Sequence, residues 1–448
     1  MEEFSIRGEW FLPGNSNVSH GELSFSEDGI LLRLSSWLPG SLIYAFVEFE
    51  IIHGISNTGE KITLLNNWPN EINTIKSNTV LRGMHLDNKD ELIFHEFTFE
   101  SQLLNNIIGI TGFKKVNNNY NSAEIHYQLP EDIKFNINNI GTGVWVFNYD
   151  NSTINKPFDI SCVQKISLQI KFNDLLSYEK LFEHFDAFFQ FLTFVCQNTP
   201  SIEALFFHVI PKNEQEEFVE GNKIQILFTE NRLNKIKKED FVNIENGFLF
   251  KLKDVDNFDS KISKWFELDK VIEPSLNILF ETFLKDYSFN ENSFLNQCQA
   301  LELLHRRLYN IKESDLRLHD KRLKEILDSI EDTSYKKWLS EKLNYSHEPS
   351  LRKRLRELFL EIDKVEIVKR INPDKDFIES VVNNRNYYTH YDTTLPKGAL
   401  KNKQLWKLTI KLKILLIIII LKRMGFDDTF LNSNSISNLS SRYLFAFK

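Results

Sequence analysis

The apolar residues of this chain change period once along its length, and that change limits the fold more than any other feature. From Phe4 to about Ile170 they fall in short alternating segments broken by turn residues, the period of half-buried strands. From about Asn257 onward the strand pattern is gone and apolar residues recur every three to four positions. A strand-built first part followed by a helix-built second part is therefore expected, an α+β multidomain chain. Within the first part, Leu23-Ser24-Phe25, then Glu27-Asp28-Gly29 and residues 30–34, predict a hairpin. Residues 94–99, 124–128 and 144–148 predict further strands, and the asparagine-rich run 117–121 predicts a loop. Residues 178–197 turn helical, with Leu181, Phe182, Phe185, Phe188, Phe189 and Leu192 on one aromatic face that reads as core. Strands resume at 202–209 and 223–228, which keeps this helix inside a β-sandwich or barrel-like domain.

The second part reads as a helical connector at 260–285, broken at Pro274, then helices at 292–310, 320–330, 333–344, 349–368, 373–390 and 399–424. The expected domains are 1–256, a connector 257–288 and an all-α unit 289–448. Residues 414–421 are uniformly apolar, but Lys411, Lys413 and Lys422 bracket them and a membrane span needs about 20 residues. They read as the centre of a buried helix that also carries Trp406, Leu408 and Ile410. The tail beyond Asp428 reads as loop until Tyr443-Leu444-Phe445. Cys162, Cys196 and Cys298 are scattered, with neither metal-ligand spacing nor a disulfide framework. Together with an acidic start, Met1-Glu2-Glu3-Phe4, that lacks an apolar signal core, this suggests a cytoplasmic protein with no secretory peptide.

Chemistry concentrates in Arg385-Asn386-Tyr387-Tyr388-Thr389-His390. Asn372 is expected to cap the helix that carries it, with Pro373 in the first turn and Asp374 and Asp376 at its positive end. Arginine offers a cation for phosphate, and histidine a base that titrates near neutrality. Asn386 and His390 are four apart and share a face, so the amide can orient the imidazole. Arg385 and His390 are separated by roughly 140° around the axis. One helix presents that pair awkwardly to a single phosphate, whereas two copies meeting in a homodimer combine groups from both. A lone histidine is by default structural or solvated, Arg385 has Glu302 as a candidate ion-pair partner, and Tyr387 and Tyr388 read as packing or interface residues. Residues 289–448 carry 29 Lys+Arg against 21 Asp+Glu, a net +8, and the remainder 25 against 41, a net −16. A polyanion is drawn to the basic half. Its densest patches are Arg306 with Arg307, and Arg352, Lys353, Arg354 and Arg356, each either a solvated helix face or a substrate contact. Phosphate-binding glycine loops, Gly-x-Ser-x-Gly and His-Glu-x-x-His are absent, and no carboxylate cluster near His390 suggests a metal nuclease.

Arg-Asn-x-x-x-His followed by Tyr391-Asp392 resembles the Arg-x4-His signature of HEPN ribonucleases, in particular the ApeA-like branch. Residues 294–302, Phe-Leu-Asn-Gln-Cys-Gln-Ala-Leu-Glu, leading to Leu304 and His305, are similar to that family's first helix. Gly8-Glu9-Trp10-Phe11-Leu12-Pro13, Gly21-Glu22-Leu23 and residues 29–34 resemble the ApeA N-terminal domain. The resemblance implies a cofactor-free, metal-independent endoribonuclease in antiphage defence by abortive infection, leaving 2′,3′-cyclic phosphate and 5′-hydroxyl ends. In that reading Arg385, His390 and Asn386 are catalytic, Glu302 and Tyr391 support them, and Arg306, Arg307, Arg352 and Arg354 hold RNA, tRNA being one candidate. The first domain would sense a phage-derived trigger. The alternative is a non-catalytic HEPN dimer that binds nucleotide or a protein partner.

Overall fold

The structure, a computed structural model, describes residues 3–26, 28–38, 48–86, 93–119, 122–150, 162–210, 222–228, 248–284, 290–309, 313–343, 346–391, 399–433, 436 and 439. The chain forms two compact units, Met1–Ser263 and Lys264–Lys448.

The first unit begins with β1 (Phe4–Phe11), β2 (Ser19–Ser26), β3 (Gly29–Leu34), β4 (Phe49–Ser56), β5 (Lys61–Glu71), β6 (Thr74–Arg82) and β7 (Ile93–Glu100). There follow α1 (Leu103–Ile108), β8 (Phe113–Asn119), β9 (Ser122–Tyr127), β10 (Ile133–Ile137), β11 (Gly141–Asp150), β12 (Val163–Leu176), α2 (Tyr178–Cys196), β13 (Ala204–Ile210) and β14 (Asn222–Phe228). Twelve of these strands share one antiparallel sheet in the order β10-β11-β12-β7-β13-β14-β6-β3-β2-β1-β4-β5. An additional β5–β6 pairing, Leu64 opposite Val80, closes the last six into a barrel. Closure removes the edge that β5 would otherwise expose. Trp10, Leu23, Ile30, Leu32, Ile52, Ile62, Leu64, Ile75 and Val80 fill the interior, with Ile30 and Leu32, and Ile62 and Leu64, two apart as a pleated strand requires.

The other half of the sheet stays open and is covered by α2. Ser177 caps that helix by accepting from the Lys180 amide at 3.3 Å. Phe185 meets Phe97 and Phe99 at centroid separations of 5.6 and 5.9 Å, so the aromatic face is core, as its spacing suggests. The predicted 23–34 hairpin forms as β2–β3 with Phe25 opposite Ile30. Residues 117–119 are not loop: they belong to β8, paired with β9. Asparagine is a poor strand former on its own, and the cross-strand ladder overrides that preference.

In sequence after these strands come α3 (Phe258–Leu284), α4 (Glu291–Leu308), α5 (Glu313–Asp328), α6 (Thr333–Leu343), α7 (Leu351–Leu360), α8 (Glu366–Ile371), α9 (Lys375–His390), α10 (Asn402–Arg423) and α11 (Asp428–Leu431). Pro274 does not break the connector; it lies inside α3. The lost hydrogen bond is offset by apolar burial on both sides of it, at Ile262, Trp265 and Ile272 before and Leu276 and Leu279 after. The segment expected as one helix from 349 to 368 is two, α7 and α8, because Ile362 and Val365 are fully buried in the turn between them. The helical core is built on α10, whose residues from Ile414 to Leu421 are all 0% exposed and which packs along α4. Among the described residues no helix is long and apolar enough to cross a membrane. The end of the tail, Tyr443-Leu444-Phe445, lies outside the described residues.

Gly54 on β4 has no room for a side chain, since a Cβ there would come within 2.2 Å of the Trp10 ring. We expect Gly54→Ala to destabilise the barrel by about 3 kcal/mol through overpacking. Urea unfolding followed by tryptophan fluorescence checks this, and an unchanged midpoint contradicts it.

Candidate active site

The orientation of α9 follows from its own polar residues. Its cap is Asp374, which accepts from the Phe377 amide at 2.9 Å, rather than Asn372. Asn372 sits at φ +50° in the left-handed region and terminates α8, while its amide group donates to Asp374 at 3.0 Å. Further along, buried Asn384 accepts from the Leu400 amide at 2.7 Å, and the Tyr388 hydroxyl donates to the Leu400 carbonyl at 2.5 Å. Two bonds to one residue fix the rotation of α9 about its axis. Burial also raises the Tyr388 hydroxyl pKa, keeping it a neutral donor. Tyr391, at φ +49°, ends the helix with its amide on the Tyr387 carbonyl, and its side chain is exposed. Asp392 lies outside the described residues.

That rotation lays Arg385 and Thr389 along a groove between α9 and α4, a cavity of about 430 Å³. Leu295, Cys298, Gln299, Glu302, Leu303 and Arg306 form the α4 wall. Phe294 meets Tyr388 at a centroid separation of 6.4 Å while Glu302 faces Arg385, so the two helices run antiparallel. Thr389 therefore lies toward the Leu295 end of the groove, and Arg385 with Arg306 occupy the other end. The expected Arg385–Glu302 partnership is loose, at 3.9 Å, and a second contact from Arg385 Nη1 to Asn386 Oδ1 measures 3.4 Å. Asn386 thus leans on the arginine rather than on His390. His390 is exposed and does not line the groove; among the described residues nothing hydrogen-bonds its ring.

Behind Glu302 a network of alternating charge runs into the protein. Glu302 meets Arg306 at 3.5 Å, Arg306 meets Glu348 at 2.8 Å, and Glu348 meets Arg354 at 3.1 Å. Arg354 also donates to the Pro349 carbonyl at 2.9 Å and to His305 Nδ1 at 3.2 Å. Guanidinium only donates, so Nδ1 is the unprotonated ring nitrogen; Nε2 carries the hydrogen and donates to Glu357 at 2.7 Å. Burial lowers the His305 pKa, with the Glu357 hydrogen bond opposing it, and the ring stacks on Tyr309 at 4.3 Å.

The arginines expected on RNA therefore part ways. Arg354 is 3% exposed with its donors committed inside the unit, and is corrected from a substrate contact to an internal tie. Arg352 makes two bonds to Glu379, at 2.9 and 2.8 Å, on a half-exposed surface. Arg306 borders the groove, and exposed Arg307 has no ion-pair partner among the described residues. Sequence reasoning missed Leu295, Gln299, Leu303 and Thr389 as groove residues, although 295, 299, 302 and 306 form one stripe at helical spacing on α4.

Residues 5–265 match ApeA N-terminal domain 1, and residues 295–430 match the Apea-like HEPN family. The chain belongs to the ApeA-like HEPN proteins. The closed barrel lies within the first matched region and the second matched region lies within the helical second unit, in the order the motifs suggest. No curated protein and no solved structure matches the chain.

Because folding lowers the His305 pKa, the unfolded chain takes the proton first, and stability falls as pH drops below about 6.5. We expect His305→Gln, which retains a donor and an acceptor, to lose part of the fall in melting temperature between pH 7.5 and 5.5. Parallel melting curves for both proteins provide the check.

Proposed function

We propose that this ApeA-like HEPN protein is a metal-independent endoribonuclease that acts as a homodimer in abortive-infection defence. The supporting observation is the division of the motif: Arg385 lines the groove with loose partners, while His390 stands exposed outside it. A two-fold contact that places His390 of one protomer over the Arg385 groove of its partner completes a site that neither chain holds alone. There His390 acts as general base or acid: the imidazole takes the 2′-hydroxyl proton as O2′ bonds to phosphorus, and the imidazolium gives a proton to O5′ as the P–O5′ bond breaks. Arg385 stabilises the charge on the phosphorane, and Asn386, already against the guanidinium, binds phosphate beside it. The products are a 2′,3′-cyclic phosphate and a 5′-hydroxyl. Among the described residues no group of three metal-ligating side chains forms, and the chemistry above uses only the motif itself.

The acidic first part of the chain restrains the basic nuclease part, residues 289–448, and releases it on meeting a phage-derived trigger. At net −16 against +8, it competes with RNA at short range.

Cleavage of total RNA is expected to survive EDTA, and His390→Ala and Arg385→Ala each to reduce it by at least about a hundredfold. Mixing the two inactive variants decides the shared site. A mixed dimer retains one site with both groups intact, so equal mixing after dissociation restores about a quarter of wild-type activity. A site contained within one chain restores none. Expression of the compact unit Lys264–Lys448 tests the restraint: it is expected to be more toxic than the full chain at equal levels, and His390→Ala is expected to remove that toxicity.

A further inference from the structure

Three of the polar side chains in the groove are already engaged. Glu302 is shared by Arg306 and Arg385, Arg306 is held by Glu348 at 2.8 Å, and the Thr389 hydroxyl donates to the Arg385 carbonyl at 2.7 Å. Gln299 differs from them. It is exposed, lies on the groove wall, and its amide has no hydrogen-bond partner among the described residues. It stands one helical turn from Leu295 and from Leu303, whose side chains flank it along α4. The groove thus has guanidinium groups at one end, Arg385 and Arg306 around Glu302, and toward Leu295 an apolar side chain beside one uncommitted amide.

That sequence of surfaces matches the parts of a nucleotide. A phosphate suits the guanidinium end, and the apolar wall offers contact to the flat face of a base. The free amide offers a donor and an acceptor side by side, the arrangement that pairs with a base edge. The stripe from Leu295 to Arg306 covers twelve residues, about 16 Å of helix from first to last, which is room for a phosphate and the nucleotide next to it.

We propose that the Leu295–Gln299 end of the groove is a base-reading subsite and that Gln299 sets the nucleotide preferred beside the scissile phosphate. The proposal rests on the ribonuclease reading for its substrate, an RNA strand, while the selectivity it assigns is a property of binding. Gln299 acts through a paired edge, so removing its amide costs discrimination between bases more than it costs affinity for the backbone. Changing it to glutamate leaves acceptors only, which favours the Watson–Crick edge of guanine, where two donors stand together.

The test uses the full-length chain carrying His390→Ala, so that binding is read without cleavage. Fluorescence anisotropy with labelled five-nucleotide RNAs of single-base composition is expected to show at least about a tenfold preference for one base over the least favoured. Adding Gln299→Ala should shrink that ratio to about threefold or less, and Gln299→Glu should move the preference toward guanine, with melting temperatures confirming that both variants fold. Equal binding of all bases before the Gln299 change, or an unchanged preference in both folded variants, overturns the proposal. Free 5′-mononucleotides are the second arm. If they compete at concentrations similar to the oligonucleotides, the groove serves a free nucleotide and the RNA assignment is overturned. If wild-type protein fails to cut RNA while Gln299-dependent selectivity persists, the nuclease reading fails and the subsite stands.

Discussion

Arg354 is a charge inside the helical unit, and much of the order around the groove follows from what a buried guanidinium requires. Taking such a group out of water costs several kcal/mol unless its donors are met, and removing one partner of a buried pair destabilises by about 3–5 kcal/mol. Its donors reach Pro349, Glu348 and His305, which ties α7 and the residues before it to α4. The imidazole is thereby fixed in one tautomer and turned toward Glu357. From Glu348 the same constraint passes to Arg306 and Glu302 at the groove. Outward the links become more exposed and weaker, since partly solvated ion pairs contribute about 0–1 kcal/mol each. The network is thus firm where it is buried and slack at Arg385, whose contacts measure 3.9 and 3.4 Å.

The barrel meets a different requirement. A sheet of twelve strands has two edges, each a row of unpaired backbone groups. The β5–β6 pairing turns six of these strands into a closed wall around Trp10, and α2 covers the open half with a layer of phenylalanine. Gly54 is the local cost of placing an indole at the centre of so narrow a barrel.

What could be read from the chain beforehand depended on whether it was local. The change of period at about residue 257, the aromatic face of α2 and the buried run of α10 are properties of neighbouring residues, and the fold keeps them. A sandwich or barrel-like domain was legible from the strand pattern, but which strands complete the barrel was not, because the β1–β4 and β3–β6 pairings join strands far apart in sequence and such register leaves no mark in a single sequence. Arg352, Arg354 and Arg356 look alike in a basic run, yet helical rotation buries the middle one and exposes Arg356. Asn372 and Asp374 are both good caps. The choice went to aspartate because Asn372 tolerates the left-handed backbone that ends α8. Pro274 and the strand at 117–119 went against local preference, each carried by tertiary contact.

The same rotational argument bears on the motif. On α9, Ile378, Val381, Asn384 and Tyr388 mark the inward face. Measured from the middle of that face at about 100° per residue, Arg385 and Thr389 lie roughly 50–90° to one side, at the margin where α4 forms the groove. Asn386 lies roughly 150° away and His390 roughly 190°, directly outward. The bonds of Asn384 and Tyr388 to Leu400 hold that rotation, so turning His390 into the groove would break both and bury the wrong face. In the site proposed above, a base that faces outward on α9 meets the phosphate at Arg385 of another copy. The spacing of five residues, awkward within one chain, suits a site that is assembled by two.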